Sequence, residues 1–104
     1  MTTKNDTFQE FVLENLGNLD LYTKAIARAH GKSHPEAMEV RALFEQIKRK
    51  LKQENAETPN LEEEMTQLRN ITSNYKIPEG VCGTYVMTYE MLSDLDEAYY
   101  KSSK

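Results

Sequence analysis

The chain has 104 residues, 38% apolar and 29% charged, with a net charge of −4. That length predicts one domain over 1–104 with apolar mass for one modest core. The acidic balance argues against general nucleic-acid binding, no apolar run exceeds three residues, which excludes a membrane-spanning helix, and one cysteine, Cys82, excludes an internal disulfide or an all-cysteine zinc site.

In chain order, the first predicted helix covers 7–29. Phe8, Val12, Leu16, Leu19, Tyr22, Ile26 and Ala29 recur there at helical spacing. Gly17-Asn18 costs this helix about 1 kcal/mol but is expected to leave it whole. His30-Gly31 reads as its end, with Gly31 supplying a left-handed residue. His34-Pro35-Glu36 then opens a second helix over 35–55, with His34 as the cap. Its seam is Ala37, Val40, Phe44, Ile47 and Leu51, at alternating steps of three and four.

Thr58-Pro59 and Asn60-x-x-Glu63 both read as starts of a third helix over 60–75, with Leu61, Met65, Leu68, Ile71 and Tyr75 facing inward. Pro78-Glu79 reads as the start of a fourth over 79–100, with Val81, Tyr85, Tyr89, Leu92, Leu95 and Tyr99 inward. No alternating strand pattern of useful length occurs. The pattern predicts an all-α fold, an antiparallel up-down-up-down four-helix bundle.

Residues able to carry chemistry are few. There are two histidines, His30 and His34, and no Glu-x-x-His or His-Glu-x-x-His motif. His30 reads as a helix-terminal histidine interacting with the helix dipole. Continuing the second helix's seam from Leu51 puts Glu54 on its inner side, where a carboxylate needs a partner, a metal or solvent. Nearness to the helix end favours solvent. Cys82 falls in the first turn of the fourth helix and reads as a small buried apolar residue. Lys48-Arg49-Lys50-Leu51-Lys52 reads as a solvated basic face. No nucleophile–base arrangement can be assembled, so no enzymatic activity is expected.

Charge divides unevenly along the chain. Residues 1–52 carry nine basic and seven acidic side chains, and residues 53–104 carry four and ten. The halves can therefore attract each other within one molecule or between two. A protein partner or a homodimer is the expected kind of partner. Met1–Asp6 contains no apolar stretch of the secretory type, so a cytoplasmic location is expected.

Two separated motifs add a resemblance. Ala29-His30-Gly31-Lys32-Ser33-His34-Pro35-Glu36 with Val40-Arg41-Ala42-Leu43-Phe44 resembles the central region of the repair-of-iron-centres family. Leu68 to Tyr75, followed by Ile77-Pro78-Glu79-Gly80-Val81-Cys82-Gly83-Thr84-Tyr85, resembles the segment leading into that family's last helix. The family is hemerythrin-like, carries a di-iron centre and is associated with rebuilding iron–sulfur clusters after nitrosative and oxidative damage. The resemblance implies a hemerythrin-like bundle and makes iron the implied metal. It places one family ligand on His30, a second-helix histidine position on Glu54, a carboxylate position near Thr58 and a first-helix ligand near Gln9 or Glu10. The fourth-helix histidine falls near Ser102, and the histidine opening the third helix has no counterpart. The resemblance thus implies a divergent or accessory iron–sulfur cluster repair protein with a degenerate metal site centred on His30 and Glu54. The alternative is a metal-free helical interaction module.

Overall fold

A computed structural model describes residues 4–53 and 60–102, with side chains over 8–53 and 60–101. All secondary structure among the described residues is helical: α1 Lys4–His30, α2 Glu36–Gln53, α3 Glu62–Thr72 and α4 Gly83–Ser102, with no strand. None of these helices is long and apolar enough to cross a membrane.

α1 runs unbroken through Gly17 and Asn18. The chain leaves it through two backbone bonds, from the Gly31 amide to the Ala27 carbonyl (3.1 Å) and from the His34 amide to the His30 carbonyl (2.7 Å). Gly31 is not in the left-handed region expected of it; Gly80 is the glycine with positive φ, at 77°. Gly31 is needed for space instead. A Cβ there would stand 2.5 Å from the Ala27 carbonyl oxygen and 3.0 Å from Cγ of Met38.

α2 has the simplest cause. Ala37, Val40, Phe44 and Ile47 form a buried seam, joined by Leu43. Glu36 and Glu39 sit in the first turn and Lys50 and Lys52 in the last, each of the sign that the helix dipole favours. The basic run is not a free solvated face. Lys48 reaches both carboxylate oxygens of Asp20 on α1 at 3.1 Å, and Lys50 reaches Oε2 of Glu64 on α3 at 2.9 Å.

α3 lacks a side-chain cap from its N-cap residue, Leu61. Two other groups serve its first amides. The Tyr99 hydroxyl of α4 accepts from the Leu61 amide (2.9 Å), and Oδ1 of Asn60 accepts from the Glu62 amide (3.0 Å). At its far end Ser73, Asn74 and Tyr75 are all left-handed, with φ of 54°, 60° and 64°. Each costs roughly 1–2 kcal/mol for a residue bearing a Cβ. The Asn74 amide bonds the Arg69 carbonyl, and the Tyr75 amide bonds the Thr72 hydroxyl.

α4 begins four residues later than Pro78-Glu79 suggests. The Gly80 turn intervenes, and the first helical bond runs from the Val86 amide to the Cys82 carbonyl (3.2 Å). Cys82 therefore precedes the helix rather than lying in its first turn.

The four helices share one apolar core. α1 packs chiefly on α4 and α2, and α2 packs on α3. Its largest fully buried side chains include Phe8, Phe44, Met65, Tyr85, Tyr89 and Leu92. The Phe8 ring meets Tyr99 edge-on at 5.6 Å, and the His30 ring meets Tyr85 edge-on at 5.1 Å, which ties the two ends of α1 to opposite ends of α4. α3 and α4 are joined mainly by side chains. Asp96 is 3% exposed, takes two bonds from Arg69 (2.8 Å each) and one from the Tyr75 hydroxyl (2.6 Å), and Arg69 also lies over the Tyr100 ring. Burial, with the Asp96 bond, pushes the Tyr75 phenol far above its ordinary range.

A second polar junction joins α1 to α2. Arg41 donates through one nitrogen to the Asp20 carbonyl, Oδ1 of Asp20 and the Thr23 hydroxyl, and its Nε pairs with Glu45. The Arg41 and Lys48 cations hold the Asp20 carboxyl below its usual range.

Asp96→Ala is expected to lower stability by about 2 kcal/mol, since it removes the two bonds Arg69 makes across the α3–α4 junction and leaves the half-buried Tyr75 hydroxyl without its acceptor; urea denaturation measures it. Asp20→Asn, at a half-exposed site, is expected to cost about 1 kcal/mol or less at pH 7. A depressed carboxylate stabilises the fold above its unfolded value and loses that contribution as pH falls through the folded one. The wild-type and Asp20→Asn melting curves should therefore converge below about pH 4.

Candidate functional site

The His-Gly motif and the Pro-Glu-Gly-Val-Cys motif are fifty-two residues apart at their nearest functional atoms, and the fold brings them together. α1 delivers His30 at its last position. The connection to α4 delivers Cys82 just before that helix starts. Nε2 of His30 stands 3.3 Å from Sγ of Cys82, within hydrogen-bonding range for sulfur.

The residues around this pair come from three helix ends. His34, in the α1–α2 turn, has its ring 6.2 Å from that of His30 and 5.7 Å from that of Tyr85. Its Nδ1 lies 3.5 Å from Oε2 of Glu36, the first residue of α2, and the Tyr85 hydroxyl also approaches that oxygen at 3.5 Å. His34 caps α2 through its backbone, its carbonyl accepting from the Ala37 amide at 2.9 Å. Beneath lies Tyr89, whose hydroxyl is 3.1 Å from that of Tyr85. Burial raises both phenols, Tyr89 far above its ordinary range. They stay neutral and act as hydrogen-bonding groups under the two imidazoles.

Cys82 is exposed, which corrects the expectation of a buried apolar residue. The cause is the late start of α4: the thiol sits on the connection rather than on the inward face of a helix. His30 interacts through its side chain with this thiol and the Tyr85 ring, in addition to ending α1. Chemically, one imidazole nitrogen and one sulfur at this distance can share a proton, or can together donate to one soft cation.

The other candidate, Glu54, and the positions near Thr58 lie outside the described residues. Glu10 and Gln9 are exposed on α1. The missed carboxylate is Glu64. Its side chain is 6% exposed, one oxygen pairs with Lys50, and the other, Oε1, is buried with no hydrogen-bond partner. Its position was detectable: it lies three residues after Leu61 and four before Leu68, on the stripe that α3 buries.

A di-iron centre needs converging histidines and carboxylates. Among the described residues no group of three or more His, Cys, Asp or Glu side chains is arranged to hold a metal. The buried carboxylates are already engaged, Asp96 by Arg69 and Tyr75 and Glu64 by Lys50. These residues do not fit a binuclear iron site.

No protein-family model matches the sequence, and no solved structure matches it. Among curated proteins the chain is similar to the iron-sulfur cluster repair protein ScdA from two strains of Staphylococcus epidermidis. Each is 24% identical over an alignment of 120 positions that takes in 86% of this chain and 54% of the relative. The chain thus spans about half the length of the curated relatives it matches.

The exposed Cys82 thiol is expected to react stoichiometrically with a maleimide in the folded protein. Its rate should fall in His30→Ala, which removes the nitrogen 3.3 Å from the sulfur. Mass spectrometry of timed samples measures both; an unreactive thiol, or a rate indifferent to His30, contradicts the pairing.

Proposed function

We propose that this chain is an accessory protein of iron–sulfur cluster repair, built as one hemerythrin-like domain over 1–104 with its helices in antiparallel up-down-up-down order, and that it is not an enzyme. The observation that carries the reading is the similarity to ScdA over 86% of the chain. The two sequence motifs of the family resemblance also meet in space at His30 and Cys82. The cross-packing of Phe8 with Tyr99 and of His30 with Tyr85 supports opposite directions for α1 and α4.

In this reading the metal site is degenerate and iron is cargo. His30 and Cys82 offer one nitrogen and one sulfur beside each other; Glu54, the position the resemblance adds, lies outside the described residues. Two donors suit brief handling of a single ferrous ion better than permanent retention. The apolar interior between the helices contributes no ligands: Phe44, Ile47, Tyr89 and Leu92 fill it. A cytoplasmic location accords with this role.

A second reading, a metal-free interaction module, is favoured by one observation. Leu13 and Leu21 stand largely exposed on α1, where a solitary protein gains nothing from them.

Anaerobic titration with ferrous iron, followed by elemental analysis and an optical spectrum, separates the readings. The expected result is weak binding of at most one iron per chain, abolished in Cys82→Ser and reduced in His30→Ala. Two tightly held irons with an oxo-bridge absorption would overturn the degenerate site. Iron binding at no concentration would overturn the cargo role and leave the interaction module.

A further inference from the structure

Among the described residues, the outer face of α1 is a surface that the other helices do not cover. Leu13 is 85% exposed and Leu21 61%, the two most exposed large apolar side chains described. Gly17 lies midway between them, also exposed. Steps of four residues place Leu13, Gly17 and Leu21 in one row along the helix, continued by the exposed Ala25. Nothing among the described residues accounts for Gly17: its φ is not positive, and a Cβ added there would meet none of their atoms within 4 Å. A helix-interior glycine weakens a helix. Here that cost leaves a shallow gap on the surface between two exposed leucines.

The charges on the same face are arranged in order. Glu10 and Glu14 precede the apolar row's centre, and Lys24 and Arg28 follow it; all four are exposed. All four lie within about a third of a turn of the leucine row. None of them forms an ion pair among the described residues, whereas Asp20, nearer the core, is fully engaged by Arg41 and Lys48. The helix dipole accounts for the order of the signs. It does not account for the leucines or the glycine.

We infer that this face of α1 is a self-association surface, and that its partner is a second copy of this chain lying antiparallel across a two-fold axis. The surface is self-complementary in that geometry, as a two-fold contact requires. In the register that sets Glu10 against the partner's Arg28, Glu14 meets the partner's Lys24, Leu13 meets the partner's Ala25, and Leu21 enters the gap over the partner's Gly17. The operation repeats every contact, which gives four opposite-charge pairs around two leucine-into-glycine contacts. A parallel pairing would set acid against acid and base against base. One helix face is less than the roughly 800 Å² per partner of standard stable interfaces, so the dimer is weak and reversible. The inference rests on α1 alone and stands whichever functional reading holds.

Sedimentation equilibrium of the whole chain, from about 10 μM to about 1 mM, tests it. The expected result is a monomer–dimer equilibrium that weakens as salt is raised. Leu21→Glu should weaken association at least about tenfold. Glu14→Lys and Lys24→Glu should each weaken it, and the double variant should restore it. Gly17→Ala gives a diagnostic split: it should raise the melting temperature, as a better helix former, while weakening the dimer. These positions are exposed, and circular dichroism checks that each variant remains helical. A chain that is monomeric throughout the range overturns the inference. So does a dimer indifferent to Leu21→Glu and Gly17→Ala, or a double charge reversal that fails to rescue.

Discussion

The buried carboxylate of Asp96 is the constraint around which the second half of the chain is organised. A charge taken out of water must be answered by close, well-directed donors. Arg69 answers from α3 with two parallel bonds, and Tyr75 answers from the segment after it with a third. To place Tyr75 there, the chain passes through three successive left-handed residues, none of them glycine. Such a conformation persists where surrounding contacts over-determine it. Here the Thr72 hydroxyl, the Arg69 carbonyl and Asp96 do so. This polar junction holds α3 against α4, while the apolar seams hold α1 to α2 and α4.

Four helices were legible from periodicity alone, because burial and helical spacing agree wherever a face is wholly apolar. The row Ala37, Val40, Phe44, Ile47 is the clearest case, and every member is buried. Local signals misled where a tertiary contact decided the matter. Pro78-Glu79 has the composition of a helix start, yet Gly80 turns the chain and α4 waits until Gly83. Lys48 and Lys50 look solvated in sequence because their partners, Asp20 and Glu64, come from other helices. Asp96 and Thr23 are buried on the strength of Arg69 and Arg41, which no window of α4 or α1 contains.

The candidate site was half legible. His30 stood out because histidine is scarce in this chain and sits beside a glycine that close packing requires. Its thiol neighbour did not, since spacing along the chain carries no record of which connections meet. Glu54 came from continuing a helical seam and from the family resemblance. Among the described residues the interior is filled by phenols and aliphatic groups. The His30–Cys82 pair and the outer face of α1 both lie outside that packed interior.

The hydroxyl of Tyr99, bonded to the first amide at the start of α3, links two segments thirty-eight residues apart. With eleven residues, α3 is shorter than helices that persist alone in water. The Leu61 amide gains its acceptor only once α4 has docked, so the start of α3 is completed by an event late in the chain. The bond couples the two elements: the shortest helix is marginal alone, and its first amide keeps its acceptor only while the end of α4 that bears Tyr99 stays docked.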